Sequence, residues 1–265
     1  MPTPFRYIYS GHCDAVTNMA IDEYLFDELM RGDTEAVLRI YGWRPASLSL
    51  GRSQASASVD RAACEKAGIP VVRRMTGGGA IFHDDEITYS ICARSDIAGG
   101  SVKECYRFLC GFIIHAYREL GLAAAFAREL PHEGKFGERN PVCFAAREEY
   151  DIVVNGYKIG GNAQRWKRGF VFQHGSIPFT LSPARYNELM SGGGEHLGGN
   201  TRALADHNVR ISFEDMAALL KRSFAEACDA VFVREEMLTS LPGAAAAFAE
   251  KYSSEAWTWD GAYGS

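Results

Sequence analysis

No run of 18 apolar residues occurs in this 265-residue sequence, and no basic start leads into an apolar segment. Neither a membrane span nor a secretory leader is therefore expected. There is no basic excess either. Lysine and arginine number 28 against 33 aspartates and glutamates, a net charge of −5, whereas nucleic-acid-binding domains usually carry surplus positive charge. The seven cysteines, at positions 13, 64, 92, 105, 110, 143 and 228, are odd in number and include no Cys-x-x-Cys pair. That excludes a disulfide framework or a zinc ligand set as the natural reading, and points to a cytoplasmic chain with reduced thiols. Six of the seven are expected to be buried as small apolar residues. Repeats and low-complexity linkers are also missing, so residues 1–265 read as a single domain. The glycine-rich stretch 191–200 precedes a small, mostly helical C-terminal portion, about 201–265.

What is present is an ordinary globular composition, 47 % hydrophobic and 23 % charged, in a chain long enough to bury a sizeable core. Apolar residues at helical spacing predict a helix over 18–31 with Thr17 as N-cap, and another over 102–120. Ser101 and Glu104 make a capping-box pair at the start of the second. A short helix over 59–67 should stop at Gly68. Helices near 213–227 and 243–251 close the chain. Strands are predicted over 36–43, 47–50, 69–74, 87–93 and 170–179. A hairpin over 150–162 is expected to turn at Asn155-Gly156, the preferred pair for a type I′ turn. Strands lie in runs with helices inserted between the runs. This pattern favours an α/β fold with a mixed or antiparallel sheet flanked by helices, and argues against a regular βαβ array.

Three segments carry residues suited to chemistry. The first is Arg73-Arg74-Met75-Thr76-Gly77-Gly78-Gly79-Ala80-Ile81-Phe82-His83-Asp84. A triple glycine after a strand can be a plain turn, but it also lets backbone N–H groups approach a ligand. Paired arginines before it can hold a carboxylate or phosphate, and His83 and Asp84 follow one short strand later. It is neither a P-loop nor a Gly-x-Gly-x-x-Gly fingerprint. The second is Asn155-Gly156-Tyr157-Lys158-Ile159-Gly160-Gly161-Asn162-Ala163. A lysine just past a hairpin turn is ordinarily a solvated charge, yet Gly160, Gly161 and Ala163 leave room for a ligand against the backbone. Lys158 can then serve as a compact cation for an acyl carbonyl or phosphate. The third contains Cys143, which follows a polar loop and precedes the strand leading to Lys158. A nearby cation lowers a thiol's pKa and supplies thiolate. His174, Gly175 and Ser176, in an apolar strand, are kept as pocket residues without an assigned proton transfer.

These blocks, in this order, resemble the lipoate protein ligase and octanoyltransferase superfamily, whose catalytic fold is shared with biotin protein ligases. The resemblance runs from Asn18-Met19-Ala20-Ile21-Asp22-Glu23 to His174-Gly175-Ser176. It implies a biotin/lipoate ligase-like catalytic fold, a glycine loop that holds a lipoyl or octanoyl chain, and Lys158 at the acyl carbonyl. Val142-Cys143-Phe144-Ala145-Ala146-Arg147-Glu148 is similar to the Cys-Phe segment of the cysteine-dependent octanoyltransferases, as is Glu86-Ile87-Thr88-Tyr89-Ser90 after His83 and Asp84. On that resemblance Cys143 takes octanoate from octanoyl-acyl carrier protein as a thioester. It then passes the acyl group to a lysine of a lipoyl domain or of a glycine-cleavage H-type protein, with no metal, nucleotide or other cofactor. The alternative is a lipoate–protein ligase that works through lipoyl-adenylate and requires ATP and Mg²⁺. The triple glycine itself is of the ligase kind. A non-catalytic carrier-protein-binding module is the third reading.

Overall fold

The computed structural model of the chain describes residues 1–131, 148–191 and 201–262. Its first half runs β1 (Thr3–Cys13), α1 (Ala15–Arg31), β2 (Ala36–Trp43), β3 (Ser47–Leu50), α2 (Arg61–Ala67), β4 (Val71–Arg73), β5 (Ile81–His83) and β6 (Glu86–Arg94). There follow α3 (Val102–Glu119), β7 (Ala124–Phe126), β8 (Ile152–Val154), β9 (Tyr157–Ile159), β10 (Gly161–Lys167) and β11 (Phe170–Pro178). The remainder is α4 (Pro183–Leu189), β12 (Thr201–Arg202), α5 (Phe213–Ala227), β13 (Ala230–Met237) and α6 (Ala246–Ser253). The segment 201–265, expected to be mostly helical, thus also supplies β13. A π-helical turn, Ala256–Asp260, follows α6.

Three sheets form. The largest has the order β10-β11-β6-β2-β1-β13 and is mixed, antiparallel through β2 and parallel from β2 to β13. The others are β12-β9-β8-β7 and β4-β3-β5. Alternation along the large sheet feeds two helix layers. Phe5, Leu38, Ile40, Tyr89 and Ile91 face α3 and α5 through Leu109, Phe112, Leu220 and Phe224. Ile8, Val37, Cys92 and Phe172 face α1 through Ile21, Leu25 and Phe26. Successive strand residues point to opposite faces, so one strand serves both layers. Each such side chain, fully buried, contributes about 1.5–3 kcal/mol.

Local signals account for several boundaries. Ser101 caps α3 by accepting from the Glu104 N–H, while its hydroxyl donates to the Glu104 carboxylate. Asn155 and Gly156 have φ of 51° and 82°, the left-handed pair that a type I′ turn demands. Helix α2 ends at Gly68, φ 66°, as expected. For α1 the N-cap is Asp14 and not Thr17: the Asp14 carboxylate accepts from both the N–H and the hydroxyl of Thr17. Asp14 makes the bond to the N3 N–H that defines a cap, and the helix starts three residues earlier than its apolar pattern.

Candidate active site

The glycine loop 77–79, the segment 161–163 and the segment 174–176 meet at one cavity of about 500 Å³, within the range of small-molecule pockets. One wall is the loop Gly77–Gly79. Arg74, buried beneath it, donates to the carbonyls of Gly77 and Gly79 at 2.7 Å each and to the Ser49 carbonyl at 3.0 Å. The loop also needs Gly51 on the strand side, because a Cβ there would lie 1.9 Å from the Gly78 carbonyl oxygen. The opposite wall is the β10–β11 ladder, where Gly161 pairs with Ser176, Asn162 with Gly175 and Ala163 with His174. Asn162 is fixed by the Tyr89 hydroxyl, which donates to its Oδ1 at 2.7 Å and accepts from Gln173.

A buried polar chain forms the floor. His83 stacks on Trp43, with ring centroids 3.9 Å apart, and its Nε2 lies 2.8 Å from the Ser49 hydroxyl. Its Nδ1 is 3.1 Å from Glu86, close but not aligned as a hydrogen bond. Glu86 accepts from the hydroxyls of Ser176 and Thr88, and Trp43 donates to Thr88 at 2.9 Å. Burial works to raise the Glu86 carboxyl, but His83 and the hydroxyl donors prevail and hold it below its ordinary value. His174 is the reverse case. Burial, then the nearby Arg74 and His83, push it well below its ordinary value, so the imidazole is neutral at pH 7. Its Nε2 lies 2.6 Å from the Thr76 hydroxyl. Thr76 therefore stands behind His174.

Lys158 is buried, 9 % exposed, and lines the cavity. Its ammonium lies 2.8 Å from Asp151, a carboxylate that lines the same cavity. The hairpin turn makes this geometry: Lys158 pairs across β8–β9 with Val153, and Thr201 of β12 lies on its other side.

Arg74, Gly77, Gly78, Gly79, His83, Lys158, Gly161, Asn162, Ala163, His174, Gly175 and Ser176 all line the cavity. Arg73 does not. Its guanidinium is taken by the carbonyls of Gly51, Gln54, Trp257 and Thr258, so it ties the strand before the loop to the C-terminal turn instead of holding an anion. Asp84 is exposed on the outer side of the β5–β6 turn. Gly160, φ 77°, borders a smaller pocket, where a Cβ would come 2.2 Å from the Ser176 carbonyl oxygen. Cys143 lies outside the described residues. The other six cysteines are buried and none lines the cavity. Burial pushes Cys64 and Cys105 up to about 11 and Cys110 and Cys228 up to about 12, and it raises Cys13 and Cys92 as well. Such thiols are poor nucleophiles at neutral pH.

Several site residues carried no motif in the sequence. Trp43, Ser49 and Asp151 come from three separate segments and line the cavity only once the chain folds, and Glu86 was noted only within a segment-level resemblance. The Asn18–Asp22 block does its work below the cavity. The Asp22 carboxylate takes Arg39 at 2.8 Å, Tyr41 at 2.7 Å and Ser90 at 2.8 Å, and Asn18 accepts from Arg39. Met19, between them, reaches the cavity wall.

Residues 14–225 match the lipoyl protein ligase A/B catalytic domain. The chain belongs to that family. Within the lipoyl ligase family, the octanoyltransferase LipM of Exiguobacterium sp. strain AT1b is 36 % identical over 271 residues, 97 % of this chain and 98 % of its own. Lipoate-protein ligase A bound with ATP superposes with a TM-score of 0.77 at 22 % identity, over 98 % of this chain and 99 % of that one. The bipartite lipoate protein ligase of Thermoplasma acidophilum, from a study that includes its E2 lipoyl domain, gives 0.76 at 21 % identity and covers 99 % of each chain. Both structures speak to the fold, a mixed α/β catalytic domain of the lipoyl ligase family.

Proposed function

We propose that this chain, acting as one catalytic domain in the cytoplasm, is an octanoyltransferase of protein lipoylation. The nearly full-length likeness to octanoyltransferase LipM carries the choice of reaction. The cavity suits the substrate. An octanoyl chain has six methylenes and a methyl, and burying all seven at ~0.8 kcal/mol each contributes roughly 6 kcal/mol.

Glu148, five positions after Cys143, lies on the cavity wall. The Cys143 thiolate attacks the carbonyl carbon of octanoyl-acyl carrier protein, forming a new C–S bond as the carrier thiolate leaves. The lysine amine of a lipoyl domain or H-type protein then attacks the same carbon. An amide forms, the Cys143 thiolate departs and the amine gives up its proton. Lys158 favours thiolate and stabilises the oxyanion of both steps as a fixed cation. The route requires neither ATP nor Mg²⁺, both of which a lipoate ligase uses.

The test is transfer without nucleotide. Enzyme, octanoyl-acyl carrier protein and an unmodified lipoyl domain, mixed without ATP, should yield a lipoyl domain octanoylated on one lysine. Modification that appears only with ATP and a free fatty acid or lipoate would establish the ligase reading in its place.

A further inference from the structure

We propose that Asp151 is a positioning residue for acyl transfer, holding the Lys158 ammonium in register with the turn at residues 148–151. This rests on the octanoyltransferase reading above. The two carboxylate oxygens do different things. Oδ1 lies 2.8 Å from Lys158 Nζ, and Oδ2 accepts the Glu148 backbone N–H at 2.9 Å. The Asp151 backbone is fixed on both sides, its N–H donating to the Glu148 carbonyl and its carbonyl accepting from the Ala127 N–H at 2.8 Å. The pair is buried, Asp151 at 7 % and Lys158 at 9 % exposure, and both side chains line the cavity.

A lysine side chain has a flexible four-carbon stem, and the hairpin fixes only its Cα. An oxyanion-stabilising cation must stay charged and stay placed before the carbonyl arrives, because reorganisation during the reaction is what preorganised groups avoid. A carboxylate that is itself pinned by a backbone N–H supplies that placement. Glu148, at the other end of that bond, follows Cys143 by five residues. One side chain therefore links the cation to the turn that succeeds the nucleophile's segment.

A purely structural ion pair would stabilise the hairpin and leave the rate of the folded enzyme unchanged. Steady-state octanoyl transfer by full-length Asp151→Asn, Asp151→Glu, Lys158→Gln and the Asp151→Asn/Lys158→Gln double variant separates the two. Asp151→Asn should lose about 10- to 100-fold in kcat, with the KM for octanoyl carrier within about twofold of wild type. Asp151→Glu keeps the charge and the fold but displaces it by one methylene, so its kcat should fall by a smaller factor. The double variant should be no slower than Lys158→Gln alone, since Asp151 acts through the lysine. Wild-type kcat in either Asp151→Asn or Asp151→Glu overturns the proposal, as does a double variant slowed by the product of the single effects. A wild-type enzyme that transfers no octanoyl group overturns the octanoyltransferase reading and this one together. An active wild type with unaffected Asp151 variants overturns the role of Asp151 alone.

Discussion

Lys158 lines the cavity, and Glu86 lies beneath its floor, bonded to Thr88 and Ser176 and close to His83, all three of which line it. A lysine next to a hairpin turn is solvated in most sequences, and only the small residues after it marked Lys158 as different. What the spacing could not reveal was its partner, because Asp151 lies just before the preceding strand and reaches it only once the hairpin closes. Glu86 was further from view, since its partners His83, Thr88 and Ser176 come together through two different sheets. Its carboxyl is held below its ordinary 4.5 in the folded chain, so its ionisation contributes stability above that pH and loses the contribution as pH falls through the lower, folded value. Glu86→Gln should therefore be less stable than wild type at pH 6, with the gap narrowing below about pH 4.5. Urea unfolding at both pH values measures it. A gap that is constant with pH would mean that the Glu86 charge plays no part.

Elements with a local cause were legible, and those with a distant one were not. Helix α3 and the β8–β9 hairpin follow from Ser101, Glu104, Asn155 and Gly156, each of which acts within four residues of itself. Strands β1 and β13 escaped notice because they pair with one another across more than two hundred residues of sequence, β1 also pairing with β2. Arg73 escaped for the same reason. Its bonds run to the Trp257 and Thr258 carbonyls, and Trp257 Nε1–H returns one to the Arg73 carbonyl at 2.7 Å. The triple glycine was visible, but the glycine that seats it was not. Gly51 lies on the far side of the contact, where a methyl would collide with the Gly78 carbonyl. Gly51→Ala should displace the loop and raise the KM for the acyl donor by about tenfold or more, since misplacing a binding element by roughly 1 Å can cost 100-fold. Circular dichroism should stay near wild type. A Gly51→Ala enzyme with unchanged KM would show that the loop does not shape the acyl site.

At the scale of the whole molecule, the three sheets of the described residues contribute to one cavity, with the large sheet and its two helix layers as support. The loop 77–79 comes from one small sheet, Lys158 from the other, and His174 to Ser176 from the large one. The six cysteines among the described residues are all buried, and Cys143 is the one proposed for the chemistry. The most direct measurement is the intact mass of the enzyme after incubation with octanoyl-acyl carrier protein, followed by peptide mapping. One octanoyl group should be added, located on Cys143, released by neutral hydroxylamine and absent from Cys143→Ala, while Cys13→Ala and Cys228→Ala take it up as wild type does. No added mass from the carrier, together with a Cys143→Ala enzyme that still consumes ATP and lipoate, would contradict acyl transfer through cysteine.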